Sequence, residues 1–211
     1  MCGRYLTPAE ADLERAWDLA APEGYRQSYN LAPSQLAPVV LPADDGSRRL
    51  ESLVWGFQPH WARRGWINAR SETVFSSRAF APAARRSRCL VPALGWYEWQ
   101  GQERPKQPWL FHLDGFRPFA FAGIFTPGKG DDPATFAILT ADAPPPLAGI
   151  HGRMPVVLDA ADFDRWLAGD CAEDEAQAII GNNRTDLAVY KVSAYVNKPA
   201  NNDAACIRPL E

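Results

Sequence analysis

The chain has 211 residues, 46% of them hydrophobic and 11% aromatic, with a formal net charge of −3. That content suits one packed core rather than a disordered chain. No run approaches the roughly 18 apolar residues that span a membrane, and no basic-then-apolar leader pattern opens the chain, which excludes a membrane protein or secreted precursor as the expectation.

Residues 2–6 read as a short strand. Thr7-Pro8-Ala9-Glu10 has a capping-box pattern with Pro at the first helical position, opening an amphipathic helix to about residue 19. Pro22, Pro33, Pro38 and Pro42 punctuate the loops after that helix, and residues 36–41 and 50–57 read as strands joined at the Asp44-Asp45-Gly46 turn. Residues 66–69 are short and extended, and a helical stretch is expected over 72–84. Strands are expected over 88–93, 95–100, 109–113, 119–125 and 135–140. After the Pro144-Pro145-Pro146 run come a strand over 156–158, a helix capped by Asp159 and ending near Gly169, and a second helix over 172–180. Many short strands with scattered helices indicate an α+β fold. The expectation is a single domain over residues 1–211, with a curved, barrel-like, mixed or antiparallel β-sheet core and flanking helices.

Cys2, Cys89, Cys171 and Cys206 show no CxxC spacing and there are only three histidines, so neither a disulfide framework nor a metal site is expected. A reduced, cytoplasmic setting fits. Charge is unevenly placed. Residues 52–97 carry Arg63, Arg64, Arg70, Arg78, Arg85, Arg86 and Arg88 against Glu72 alone, a balance of +6, whereas residues 111–211 hold 8 basic and 14 acidic side chains. A concentrated arginine face suits phosphate contacts; a salt-bridged, solvated surface would give the same count.

Cys2 follows the initiator Met1. Removal of Met1 would leave an α-amine of reference pKa about 7.7–8 beside a thiol near 8.5. Such an amine condenses with aldehydes, and the thiol can trap the imine as a five-membered thiazolidine. The same residue could instead attack an amide as an N-terminal nucleophile, or merely begin a strand. Trp55-Gly56-Phe57-Gln58-Pro59-His60-Trp61 offers a base-stacking loop beside the arginines, or a pair of core tryptophans. Asn68-Ala69-Arg70-Ser71-Glu72-Thr73 sets an amide and an arginine two apart, on one side if extended. In Gly95-Trp96-Tyr97-Glu98-Trp99 the lone acid sits among aromatics, where burial would raise its pKa toward the range useful for proton transfer; an edge strand would instead leave it in water. His151 lies in a Gly-containing loop after the prolines.

Together with Met1-Cys2-Gly3-Arg4, Tyr29-Asn30-Leu31-Ala32-Pro33 and the segment from His151 to Pro155, these motifs resemble the SOS-response-associated peptidase family, also known as abasic-site processing proteins. They occur in family order across residues 2–158. The resemblance implies recognition of abasic sites in single-stranded DNA and a covalent thiazolidine DNA–protein crosslink through Cys2, shielding the lesion in the DNA damage response. The peptidase name would correspond to removal of Met1. Carried over by motif, Cys2 is the nucleophile and Asn68, Glu98 and His151 complete the catalytic set. Arg70 and Arg153 would hold phosphates with Arg4 nearby, and Trp61, with the Ser34 and Pro38 region, would wedge or stack on neighbouring bases. No cofactor or metal is implied. Abasic single-stranded DNA is the expected partner, with replication-fork proteins as further candidates, and a monomer associated with the nucleoid is expected. Two rival functions share parts of this pattern: an N-terminal-nucleophile glutamine amidotransferase, and a non-covalent reader of single strands or modified bases.

Overall fold

A computed structural model describes residues 2–43, 45–101 and 105–210. Its strands, in chain order, are β1 (Tyr5–Leu6), β2 (Leu36–Pro42), β3 (Arg48–Trp55), β4 (Asn68–Arg70), β5 (Arg88–Ala93), β6 (Gly95–Gln100), β7 (Gln107–His112), β8 (Phe119–Thr126), β9 (Thr135–Asp142), β10 (Arg153–Pro155) and β11 (Ala188–Lys191). Five helices accompany them: α1 (Glu10–Trp17), α2 (Ala81–Arg86), α3 (Pro145–Ala148), α4 (Phe163–Leu167) and α5 (Glu173–Gly181).

Strands β5, β8 and β9 are near-continuous apolar runs because both their faces are covered. Alternate residues feed two cores. On β2, Val40 joins Leu90, Ala122 and Leu139 under α1, α4 and α5, with Leu13, Trp17, Trp166 and Ile180. Its neighbours Val39 and Leu41 point the other way, toward Trp55, Phe121, Phe136, Tyr5 and Trp96. The large sheet runs β3–β2–β5–β8–β9 and curves back so that β9 meets β3. That last junction is only Val54↔Thr135 and Trp55↔Phe136, so the sheet is a curved ring and not a closed barrel. A second, four-stranded antiparallel sheet, β1–β6–β7–β11, lies against it. The result is the α+β single domain expected from the sequence, and no helix among the described residues is long and apolar enough to cross a membrane.

Several local expectations change. Thr7 does not cap α1; it is buried, and its hydroxyl accepts the Ser28 N–H at 2.8 Å and the Tyr25 hydroxyl, leaving Ala9 at the cap without a side-chain bond. The stretch 72–84 is not one helix but a 3-10 turn (Ser71–Thr73), a bend and the short α2. The strand near residue 156 forms three residues earlier, as β10, because it pairs with the end of β9. The proline run opens α3. Asp44 of the expected turn, and Met1, lie outside the described residues. The arginine window is not a uniform face. Arg88 is buried and donates to the carbonyls of Trp166 and Ala84, and Arg85 pairs with Glu173 at 2.9 Å. Arg63, Arg64, Arg70, Arg78 and Arg86 remain exposed.

Candidate active site

The backbone geometry that brings Cys2 inward begins with β1, which pairs with β6 through Tyr5↔Trp96 and Leu6↔Gly95, while Tyr5 also bridges Leu31. Cys2 is wholly buried. Its carbonyl accepts a 2.8 Å hydrogen bond from Asn68 Nδ2, so β4 reaches across 66 residues of sequence to hold the start of the chain. Burial pushes the Cys2 thiol well above its usual pKa, and the negative charge of Glu98 pushes it further in the same direction.

Glu98 lies on β6, opposite Trp109 of β7, and is 3% exposed. Removal from water raises its carboxyl from 4.5 to about 7. Its Oε2 lies 4.0 Å from Nδ1 of His151. Desolvation lowers the pKa of His151 and the positive charges of the amino terminus, Lys106 and Arg153 add to that, against a contact with the Arg153 carbonyl that raises it. Near neutrality the pair is therefore a half-ionised carboxyl facing an imidazole that resists protonation. The fold thus brings together all four residues that the sequence singles out for chemistry, from four separate segments.

The expected DNA-contacting residues divide. Arg70 shares one side of β4 with Asn68; it is exposed and its guanidinium forms no hydrogen bond or ion pair among the described residues. Trp61 is 56% exposed and tilts against Trp66, itself 37% exposed, with ring centroids 6.1 Å apart. Ser34 is exposed with φ +70, its N–H bonded to the Trp55 carbonyl at 2.8 Å, and it borders a cavity of about 320 Å³ with Gly56, Gln58, His60 and Lys129. Pro38 is buried within β2 opposite Ser52. Arg4 donates to Asn30 Oδ1 at 2.9 Å and to the carbonyls of Val196 and Asn197, while its guanidinium lies 6.0 Å from the Trp99 ring centroid. Arg153 is also engaged. Nη1 donates to Glu72 at 2.6 Å and Asp142 at 2.7 Å, and Nη2 to the second Glu72 oxygen at 2.9 Å and the Thr140 carbonyl.

Sequence reasoning missed Glu72 and Asn30. The first was legible as the only acid in the arginine window. The second sits inside a recognised motif, yet its partners, the carbonyls of Val196, Lys198 and Asn201, come from a segment with no motif at all.

Residues 1–199 match the family model described as SOS response associated peptidase (SRAP). The abasic site processing protein YoqW of Bacillus subtilis is 36% identical, covering 98% of this chain and 99% of its own. The abasic site processing protein YedK of Escherichia coli is 31% identical over 100% of both chains. The abasic site processing protein HMCES of Gallus gallus is 32% identical over 89% of this chain and 67% of its own. A crystal structure of a Bacteroides thetaiotaomicron protein has the same fold, with a TM-score of 0.84 at 21% identity over 99% of this chain and 100% of that one. With the family model matched over nearly all its length and curated relatives aligned end to end, the chain belongs to the SOS response associated peptidase family.

Proposed function

We propose that the protein processes abasic sites in single-stranded DNA by capturing the lesion's aldehyde at Cys2. The observation that carries this reading is the meeting of buried Cys2 and Glu98 with half-buried Asn68 and His151; the names of the relatives support the same class of substrate. With Met1 removed, the Cys2 amine adds to the aldehyde of the ring-opened sugar to give a carbinolamine. Its hydroxyl leaves as water, giving an imine. The thiol sulfur then bonds to the imine carbon and the thiol proton passes to nitrogen, closing a thiazolidine with net loss of one water.

Burial keeps the thiol protonated, so the sulfur step needs a base. Glu98, poised near pH 7, accepts a proton from the amine or thiol and returns it to the departing hydroxyl. Neutral His151 exchanges a proton at the sugar oxygen. Asn68, by fixing the Cys2 carbonyl, limits the rotation of the nucleophile, and positioning of this kind supplies large rate factors. On the DNA side, Arg70 holds a phosphate, with the exposed arginines adding diffuse attraction, and Trp61 stacks on a base beside Ser34. Arg153 adds its positive charge to the phosphate path while staying bound to Glu72, and Arg4 acts chiefly by anchoring the first strand.

Intact mass spectrometry under denaturing conditions, after incubation with abasic single-stranded DNA, tests this reading. The expected species is the chain lacking Met1 plus the oligonucleotide minus one water. Retained Met1 in reactive protein would exclude the imine route, because a peptide nitrogen cannot form one. Binding without a covalent species would leave only a non-covalent reader.

A further inference from the structure

A guanidinium can be a ligand for the substrate or a fixture of the protein, and at Arg153 every Nη hydrogen is already used. Glu72 grips it through both oxygens, at 2.6 and 2.9 Å, a fork-to-fork arrangement with one favoured orientation. Asp142 and the Thr140 carbonyl, both on β9, take the remaining Nη hydrogens, and the Arg153 side chain is only 17% exposed. The clamp joins two arms of the site. Glu72 lies in the 3-10 turn directly after β4, four residues beyond Asn68. Arg153 opens β10, two residues beyond His151.

The backbone of Arg153 in turn governs His151. Nδ1 of the imidazole lies 3.1 Å from the Arg153 amide nitrogen and 3.0 Å from the Arg153 carbonyl oxygen. Accepting from the amide leaves the ring proton on Nε2, whereas donating to the carbonyl puts it on Nδ1. A small shift of the Arg153 backbone therefore selects the tautomer and the angle that His151 presents beside Glu98. Besides Glu98 on β6, the charged groups acting on this ring are the amino terminus of the chain, Lys106, ahead of β7, and Arg153 on β10.

We propose that Glu72, assisted by Asp142, is a positioning residue that sets the tautomer and placement of His151 through Arg153. Its catalytic consequence rests on the proposed role of His151 at the sugar oxygen; its structural consequence does not. The carboxylate touches neither the sugar nor Cys2, and acts by holding one backbone segment against the strand that carries Asn68.

The test compares Glu72→Gln, which keeps the shape and removes the charge, with Glu72→Asp, which keeps the charge on a shorter stem. Nitrogen-15 spectra of the DNA-free protein report the His151 tautomer and titration midpoint. Glu72→Gln should move both, Glu72→Asp should move them less, and Asp142→Asn should give a smaller shift in the same direction as Glu72→Gln. In single-turnover reaction with abasic single-stranded DNA, Glu72→Gln should lower the rate at saturating DNA by on the order of 10-fold, with a half-saturating DNA concentration no higher than wild type. Unchanged His151 resonances in both Glu72→Gln and Asp142→Asn would overturn the proposal, as would a rate defect that saturating DNA repairs. Failure of the wild type to form any adduct would instead overturn the covalent reading, leaving the spectroscopic arm to decide the clamp.

Discussion

Glu98 carries the sharpest energetic conflict in the molecule, because folding moves a carboxyl out of water into an aromatic strand. Its pKa rises from 4.5 to about 7, so between those values the folded protein holds a proton that the unfolded chain has released. Stability therefore falls as pH rises through this window, and the full cost, roughly 3 kcal/mol at most, stands above pH 7. Glu98→Gln should remove that cost. Denaturant unfolding should show the variant gaining stability relative to wild type from pH 5 to pH 8, and the proposed crosslinking, expected to speed up through about pH 7 in wild type, should become slow and nearly flat with pH. Equal stability of the two proteins at pH 8 would place Glu98 in water. Cys2→Ser tests the neighbouring residue: the amine survives and the ring-closing sulfur is lost, so a reducible imine should form without a persistent adduct.

At the scale of elements, β6 and the loop between Phe57 and Trp66 do different work. Gly95 lets β6 lie close to β7, since a Cβ there would meet the Phe111 carbonyl oxygen at 2.6 Å. Gly95→Ala must push two paired strands apart, which costs roughly 1–3 kcal/mol, visible as a lower Tm, and it should slow crosslinking by moving Glu98. The loop is closed by the Phe57↔Trp66 bridge and holds Trp61 out into solvent. Trp61→Ala should weaken binding to ordinary single-stranded DNA by about 1–3 kcal/mol, the worth of one stacked base, with the slope of log affinity against log salt unchanged. Arg70→Ala, one strand away, should lower that slope by roughly 0.7. Equal slopes for the two variants would merge the roles of charge and stacking.

Across the whole molecule, the last segment of the described chain fastens the first. Asn30 is buried and donates to the carbonyls of Val196, Lys198 and Asn201, while Asn202 accepts from the backbone of Tyr29 and Asn30. Arg4 binds the same strap, so residues 193–208 fix the strand that delivers Cys2. Asn30→Ala removes three donated hydrogen bonds, leaving the Val196 carbonyl with Arg4 and the Lys198 carbonyl with the Asn201 amide. It should cost about 2–3 kcal/mol, or roughly 4–12 °C in Tm for a chain of this size, and calorimetry checks it. If the melting point held, the strap would be loosely attached and Arg4 free to meet DNA.

The sequence by itself determined the class of fold, the order of most strands, and the identity of the groups that meet at the site. Apolar runs such as Val39-Val40-Leu41 and Phe119-Ala120-Phe121-Ala122 read as strands whatever covers them, and a lone Glu98 among aromatics is singled out by sequence, although only the packed sheet decides that it is buried. What only the tertiary structure decided is which side chains are free. Arg63, Arg70, Arg88 and Arg153 look alike in one dimension, yet one is sealed under α4, one is gripped by two carboxylates and the others face solvent. The same holds for Thr7, whose local signal suggests a cap until long-range pairing buries it. Propensity and hydropathy act over a few residues, whereas the partners of a polar group are set by contacts tens of residues away, as between Cys2 and Asn68 or Asn30 and Val196.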